Sequence, residues 1–249
     1  MTAQALDGRT ALVTGGGVGI GAAIARALAS AGARVAVTYR SHKPDPSFVS
    51  EVGAFVVQVD AGDPNTVRTG VEQSADHLGG LDILVNNIGG LVRRARLGEL
   101  DLETWRAILN VNLDSMFLFS HHALPFLAKS DFGRVINIAS LAAHSGGHPG
   151  ALAYATAKAG AIGFTRALAT ELGPQGITVN ALAPGFVEAT PFHDTFTTAD
   201  SKRSTVDAIP IGRAGRPDDV AGATVWLASD AASFVSGAVI DINGAQYFH

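Results

Sequence analysis

Tyr154 and Lys158, four residues apart, are the pair with the greatest chemical reach in this chain. On a helix that spacing puts both side chains on one face, with Cβ atoms about 5–6 Å apart. A phenol with an ordinary pKa of about 10 stays protonated at neutral pH. An ammonium about 4 Å away, at an effective dielectric near 20, contributes about 4 kcal/mol. That is about three pKa units before solvation discounts it, enough to turn the phenol into an acid–base group near neutrality. An isolated Tyr-x-x-x-Lys is usually an ordinary amphipathic pair on a helix surface, so the pair needs company before it means anything.

Company comes from the run Thr14-Gly15-Gly16-Gly17-Val18-Gly19-Ile20-Gly21, which follows an apolar strand candidate and leads straight into an Ala-rich helical stretch. Glycines there permit a tight turn and close approach of backbone to a phosphate. The helix N-terminus behind them offers free N–H groups and the positive end of a dipole. Gly15, Gly17, Gly19 and Ile20 are the candidate contacts of a dinucleotide. A glycine cluster alone is often only a turn; its place between a first strand and a first helix is what favours nucleotide binding.

Both sets of residues need a frame. Strand candidates are Thr10–Thr14, Arg34–Thr38, Ala54–Val59, Ile83–Asn86, Gly133–Ala139, Thr178–Ala183 and Ala238–Ile242. Several are apolar almost throughout, as expected of strands covered on both faces. Helical stretches alternate with them: Gly19–Ala31, Pro64–Leu78 behind Asp63, Leu102–Lys129 with a kink or break expected at Pro125, Ala151–Leu172 stopped by Gly173-Pro174, and Pro217–Ala228. The alternation predicts an α/β fold with a parallel, doubly wound sheet. No linker or repeat divides residues 1–249, so a single domain is expected. The stretch 185–216 lacks clear periodicity. Loops that long usually serve function. Phe186, Phe192 and Phe196 favour a substrate lid over a disordered insertion.

Composition narrows the classes. A net charge of −4 with no basic stripe gives no reason to expect a nucleic-acid partner. Cysteine is absent, which removes disulfides, thiolate metal sites and a cysteine nucleophile, and fits a cytoplasmic location. The first nine residues lack the basic start and apolar stretch of a signal peptide. The uncharged run Val135–Ala157 is interrupted by Ser140, His144, Gly146, Gly147, His148, Pro149 and Gly150, so no membrane span is expected. The eight histidines show no ligand spacing, and no metal is expected: His121 and His122 point to different faces, and glycines and Pro149 argue against a helix aligning His144 with His148.

The spacing Thr-Gly-x-x-x-Gly-x-Gly at Thr14–Gly21 resembles the short-chain dehydrogenase/reductase family, and the resemblance runs the length of the chain. Asn86-Asn87-Ile88-Gly89 is similar to the family's Asn-Asn-Ala-Gly, with Ile88 in place of the usual alanine. Asn112 sits at the family's asparagine in the long helix, Ser140 ends the fifth strand, Tyr154-Ala-Thr-Ala-Lys158 matches Tyr-x-x-x-Lys, and Pro184-Gly185 closes the sixth strand. The resemblance implies a Rossmann-like seven-stranded parallel sheet with helices on both faces, and a homotetramer. It implies hydride transfer between a nicotinamide cofactor and a ketone or secondary alcohol. Ser140 would position the substrate oxygen and Tyr154 would exchange its proton. Lys158 would tune Tyr154 and hold the nicotinamide ribose, and Asn112 would hold a relay water. Asp60 resembles the adenine contact. Asn87, Gly89, Pro184, Gly185, Val187 and Thr190 complete the expected cofactor shell, Thr190 toward the carboxamide.

An NAD-binding unit ordinarily carries an acidic residue about twenty positions beyond the glycines. Here the second strand runs into Tyr39-Arg40-Ser41-His42-Lys43, with no carboxylate before Asp45. Arg40 and Ser41 can hold a 2′-phosphate, so NADP(H) is favoured over NAD(H). Against this, Val18 fills a position that is often basic in NADP-preferring relatives. The expected substrate pocket comprises Leu91, Leu141, His144, Phe186, Val187 and Phe192, which suits a small-molecule ketone or alcohol with an apolar body. The overall pattern is most like that of 3-oxoacyl-[acyl-carrier-protein] reductases. A sugar or polyol dehydrogenase and a nicotinamide-sensing binding protein are the alternatives. Arg93, Arg94 and Arg96 read as a solvated loop, with an anionic substrate arm as the sharper alternative.

Overall fold

A computed structural model describes residues 5–190 and 199–249. Phe192 and Phe196, two of the three phenylalanines expected to dock the lid, lie outside the described residues.

Seven strands form one sheet: β1 Thr10–Val13, β2 Arg34–Tyr39, β3 Phe55–Gln58, β4 Ile83–Asn86, β5 Arg134–Ile138, β6 Thr178–Pro184 and β7 Val239–Ile242. Their order is β3-β2-β1-β4-β5-β6-β7, with every pair parallel. The apolar runs at β1, β4, β5 and β6 are buried along their whole length, as the unalternating sequence implied.

Helices cover both faces. On one, α1 (Gly19–Ser30), α2 (Pro46–Val52) and α9 (Pro217–Ala228) bury Ile24, Leu28, Phe48, Val220 and Leu227 against the strands. On the other, α3 (Pro64–Leu78), α5 (Ser115–Leu127) and α7 (Leu152–Leu172) contribute Val67, Val71, Phe119 and Leu172. Shorter helices are α4 (Leu102–Leu109), α6 (Ala142–Ser145) and α8 (Ala199–Asp207). The Rossmann-like, doubly wound architecture is therefore as expected. Its winding reverses between β1 and β4, so the crevice at their C-terminal ends is where such sheets take ligands.

Two local expectations need correction. The stretch 102–129 does break, but not at Pro125. Pro125 lies inside α5, two residues before its end at Leu127, and the helix runs through it. The discontinuity is at Asn110–Asp114, where the turn widens and the Ser115 N–H bonds the Asn110 carbonyl. The second correction is α2, which the periodicity did not reveal. Asp45 caps it by accepting from the Ser47 N–H at 2.8 Å, and Pro46 opens it.

Candidate active site

The glycine turn is held from three sides. The Gly15 N–H donates to Thr38 Oγ1 of β2 at 3.0 Å. Thr14 Oγ1 accepts from the N–H groups of Asn87 and Ile88 at 2.9 and 3.2 Å. The Asn87 amide donates to the carbonyls of Thr14 and Gly15. Gly15 adopts φ +62°, which a side chain would strain. Asn87 thus acts first as a brace between β4 and the turn. Ile88 fits this arrangement, lying 3.2 Å from where a Cβ on Gly15 would sit.

The next layer is set by Asn112, in the widened turn before α5. It is fully buried. Its amide donates to the carbonyls of Gly90 and Ile108 at 2.7 and 2.8 Å, and its Oδ1 accepts from the Gly90 N–H at 3.0 Å. These bonds fasten the loop after β4 to the widened turn. A Cβ on Gly89 would come within 2.7 Å of Asn112 Oδ1 and 2.9 Å of Lys158 Nζ. Only glycine leaves that corner open.

A buried polar ladder sets α7 against the sheet. Asn86 donates to Ser120 Oγ and Asn137 Oδ1, and Asn137 donates to Thr165 Oγ1 of α7. Two turns earlier on α7, the Lys158 Nζ donates to the Ile138 carbonyl at 2.7 Å, at the end of β5. Ser140 lies just beyond, and its hydroxyl is hydrogen-bonded to that of Tyr154. Ser140, Tyr154 and Lys158, far apart or merely helical neighbours in the sequence, are thus brought together by the fold as expected.

Their electrostatics differ from the sequence-based picture. Lys158 is 3 % exposed, and desolvation lowers its ammonium to a pKa of about 8. Burial also pushes the Tyr154 phenol up from its usual range, and only the Ser140 hydrogen bond acts the other way. The expected ammonium about 4 Å away does not lower it. Nζ lies 5.8 Å from the ring centroid and is turned toward the Ile138 carbonyl. Desolvation therefore outweighs Coulomb attraction at the phenol.

These groups line a cavity of about 950 Å³ over the C-terminal ends of the strands. Gly15, Gly19, Ile20 and Asn87 line it at the glycine turn, with Arg40 and Asp60 on the β2–β3 side. Gly89, Leu91, Ser140, Leu141, Tyr154 and Lys158 form its centre. Pro184, Gly185, Phe186, Val187 and Thr190 close the far side. Val187 pairs with Gly215, tying the two ends of the stretch 185–216 together.

Four expected contacts lie elsewhere. Gly17 is outside the lining because it packs on the loop before α2, where a Cβ would meet Pro44 Cγ at 2.7 Å. Ser41 is exposed beyond the rim. Asn112 stands behind Gly89 and Gly90 rather than in the cavity. His144 turns away on α6 and stacks on His249, with ring centroids 3.9 Å apart, while Ser145 and His148 of the same loop do line the cavity.

Of the three arginines read as a solvated loop, Arg94 reaches the cavity rim and donates to the Pro149 carbonyl at 3.2 Å, whereas Arg93 is drawn off to Glu99 and Asp101. Two other lining residues gave no sign in the sequence. Val92 lines the cavity at φ +59°, a strained conformation for a β-branched residue that its type does not announce. Gln246 enters from a segment 61 residues beyond Gly185, near which its Oε1 lies.

The donor set suits a nicotinamide dinucleotide. A glycine turn at a helix N-terminus faces one lobe of the cavity, and Arg40, which forms no ion pair among the described residues, stands at the rim. Gly89 leaves open space beside Lys158. The cavity is large enough for a dinucleotide and a small substrate together.

Comparisons with known proteins agree with this geometry. A family model described as Enoyl-(Acyl carrier protein) reductase matches residues 16–244. The chain is 38% identical to an acetoacetyl-CoA reductase of Shinella zoogloeoides, over 96% of this chain and 99% of that one. It is 36% identical to a 3-oxoacyl-[acyl-carrier-protein] reductase of Aquifex aeolicus, over 97% and 98%. Among solved structures, a dehydrogenase/reductase from Sinorhizobium meliloti 1021 superposes with a TM-score of 0.89 at 36% identity, covering 99% of this chain and 98% of that one. A variant of a short-chain dehydrogenase/reductase from Serratia marcescens does so at 0.88 and 34%, covering 97% and 98%.

Proposed function

The chain belongs to the short-chain dehydrogenase/reductase family, and we propose that it is an NADP(H)-linked reductase of 3-oxoacyl thioesters and similar ketones. The observation that carries this is the hydrogen-bonded hydroxyl pair of Ser140 and Tyr154 beside buried Lys158, in the cavity that the glycine turn also lines.

The bound nicotinamide supplies the hydride in reduction and takes it up in oxidation. The protein does the rest. Ser140 holds the substrate oxygen, and its hydroxyl is already oriented toward Tyr154. Tyr154 donates its proton to that oxygen as the carbonyl carbon is reduced. A phenol pushed up by burial is protonated at neutral pH, which favours the reductive direction. Lys158, with a pKa of about 8, would hold ribose hydroxyls and return the proton to Tyr154. Asn112 serves first by fixing Gly90, a positioning role carried by its side chain.

Arg40 at the cavity rim, with no carboxylate at the end of β2, supports NADP(H) over NAD(H). The relatives that reduce acetoacetyl-CoA and 3-oxoacyl carriers, together with Arg94 at the rim, support a thioester with an anionic arm. Residues 1–249 act as one domain, with the stretch 185–216 as lid over the substrate. The exposed side chains of Phe117 on α5 and of Phe234 and Phe248 near β7 support assembly into a tetramer.

The test is a 340 nm assay of NADPH and NADH oxidation with acetoacetyl-CoA, simple ketones, sugars and an enoyl thioester. The expected result is NADPH-dependent turnover of the 3-oxo thioester and none of the enoyl compound. Arg40→Ala should raise the KM for NADPH about tenfold or more and leave that for NADH little changed. Turnover confined to sugars, or an unchanged NADPH KM in Arg40→Ala, would overturn the corresponding part of the proposal. Intact NADPH binding with no turnover of any carbonyl would favour a sensor.

A further inference from the structure

Outside the cavity the fold brings His144 against two groups about a hundred residues further along the chain. His144 on α6, Asp241 on β7 and His249 each offer one ligand-capable atom, and these atoms all lie within 4.8 Å of one another. His249 Nδ1 is 3.1 Å from Asp241 Oδ2. That contact does not satisfy the cluster. His144 Nε2 and Asp241 Oδ1 are both buried and have no hydrogen-bond partner. A simple His–Asp pair uses one oxygen and one ring nitrogen, and would leave two buried polar atoms unpaired on adjacent side chains. Native interiors rarely leave such groups orphaned, and a cation bound by both atoms, with His144 Nε2 as the unprotonated nitrogen, would satisfy them together.

We propose that His144, Asp241 and His249 form a binding site for a divalent transition ion of the Zn²⁺ class. Two imidazole nitrogens and one carboxylate oxygen suit Zn²⁺, Ni²⁺ or Cu²⁺, and disfavour Mg²⁺ and Ca²⁺, which take all-oxygen shells. Tetrahedral zinc with bonds of about 2.0–2.1 Å needs ligand atoms about 3.3 Å apart, so the cluster must contract by an ångström or so. The two imidazoles are stacked 3.9 Å apart at 11°, and parallel planes cannot share one ion. One ring must turn. His249 is exposed and free to do so, whereas His144 is half-buried. The charged groups facing His144 are His249, Asp241 and Arg166. Desolvation and the His249 and Arg166 charges lower the His144 pKa, against the opposing pull of Asp241, so the ring is neutral and able to ligate at pH 7.

The position gives the site a consequence. His144 lies four residues beyond Ser140, whose Oγ accepts from the Ala142 N–H. An ion there would pin the segment after β7 to the turn behind Ser140, without entering the cavity.

The experiment uses untagged, chelator-treated full-length protein titrated with Zn²⁺ in competition with a chromophoric chelator. The expected result is one ion per chain with a micromolar or tighter Kd, and four-coordinate visible bands when Co²⁺ is used instead. Saturating Zn²⁺ should raise Tm by about 5–10 °C. His144→Ala, Asp241→Asn and His249→Ala should each weaken Zn²⁺ at least tenfold, and a His121→Ala/His122→Ala variant should bind as wild type does. His249→Ala alters the last residue of the chain, and its circular dichroism and Tm without metal establish that it folds as wild type does. No Zn²⁺ bound at 100-micromolar order, or binding that survives His249→Ala, would overturn the proposal. None of these readouts depends on the activity proposed above.

Discussion

Replacing Asn112 by alanine separates a positioning role from a water-relay role. The side chain makes three hydrogen bonds at 2.7, 2.8 and 3.0 Å in a fully buried position. Each is worth about 0.5–1.5 kcal/mol net, and the Ile108 carbonyl is left without a partner in a buried position. The expected cost is about 3 kcal/mol. For a chain of this length that lowers Tm by about 6–12 °C. The measurement is thermal unfolding by circular dichroism at fixed protein concentration. Because Gly89 and Gly90 lose their anchor, the KM for cofactor should rise while the pH profile of kcat keeps its shape. A Tm for Asn112→Ala within about 2 °C of wild type, with a reshaped kcat–pH profile, would refute the positioning argument.

Tyr154→Phe should lower kcat by about 10²–10⁴ while nicotinamide fluorescence shows cofactor still bound; retained turnover would remove Tyr154 as the acid. Lys158 has a folded pKa of about 8 against an ordinary 10.5. The unfolded chain therefore binds more protons between those values, and stability should rise with pH across that window by at most about 3 kcal/mol. Lys158→Met should lose that rise, as denaturant midpoints at pH 7 and pH 10 would reveal. Gly21→Ala should weaken NADPH binding at least tenfold in a fluorescence titration, since a Cβ there would collide with the Gly15 carbonyl and the Asn87 amide. Gly163→Ala, on the same helix as Tyr154 but with nothing within 4 Å of the new Cβ, should instead raise stability by about 0.5–1 kcal/mol by chemical denaturation.

Much of the fold was legible because its signals are local. Unalternating β-branched runs mark strands buried on both faces, and they located all seven. The proline-led starts at Pro64 and Pro217, and the stop after Leu172, bounded helices to within a residue. The same Asp-Pro signal at Asp45-Pro46 opens α2, which at seven residues is too short to show a helical period. Pro125 drew the expected break because proline is a loud local signal. The actual discontinuity at Asn110–Asp114 carries no breaker residue.

By itself the sequence determined the strand–helix alternation, the glycine turn and the helical spacing of Tyr154 and Lys158. These depend only on residue type and near neighbours along the chain. Tertiary structure decided whatever rests on burial and on groups meeting across the fold. It turned Lys158 toward the Ile138 carbonyl and left desolvation in control of the Tyr154 phenol. It committed Asn112 to Gly90 and put Arg94 and Gln246 at the cavity. It swung His144 out of the expected pocket and onto Asp241 and His249, from which it is separated by about a hundred residues of chain. No periodicity encodes such a meeting, because desolvation and long-range contacts exist only once the chain has folded.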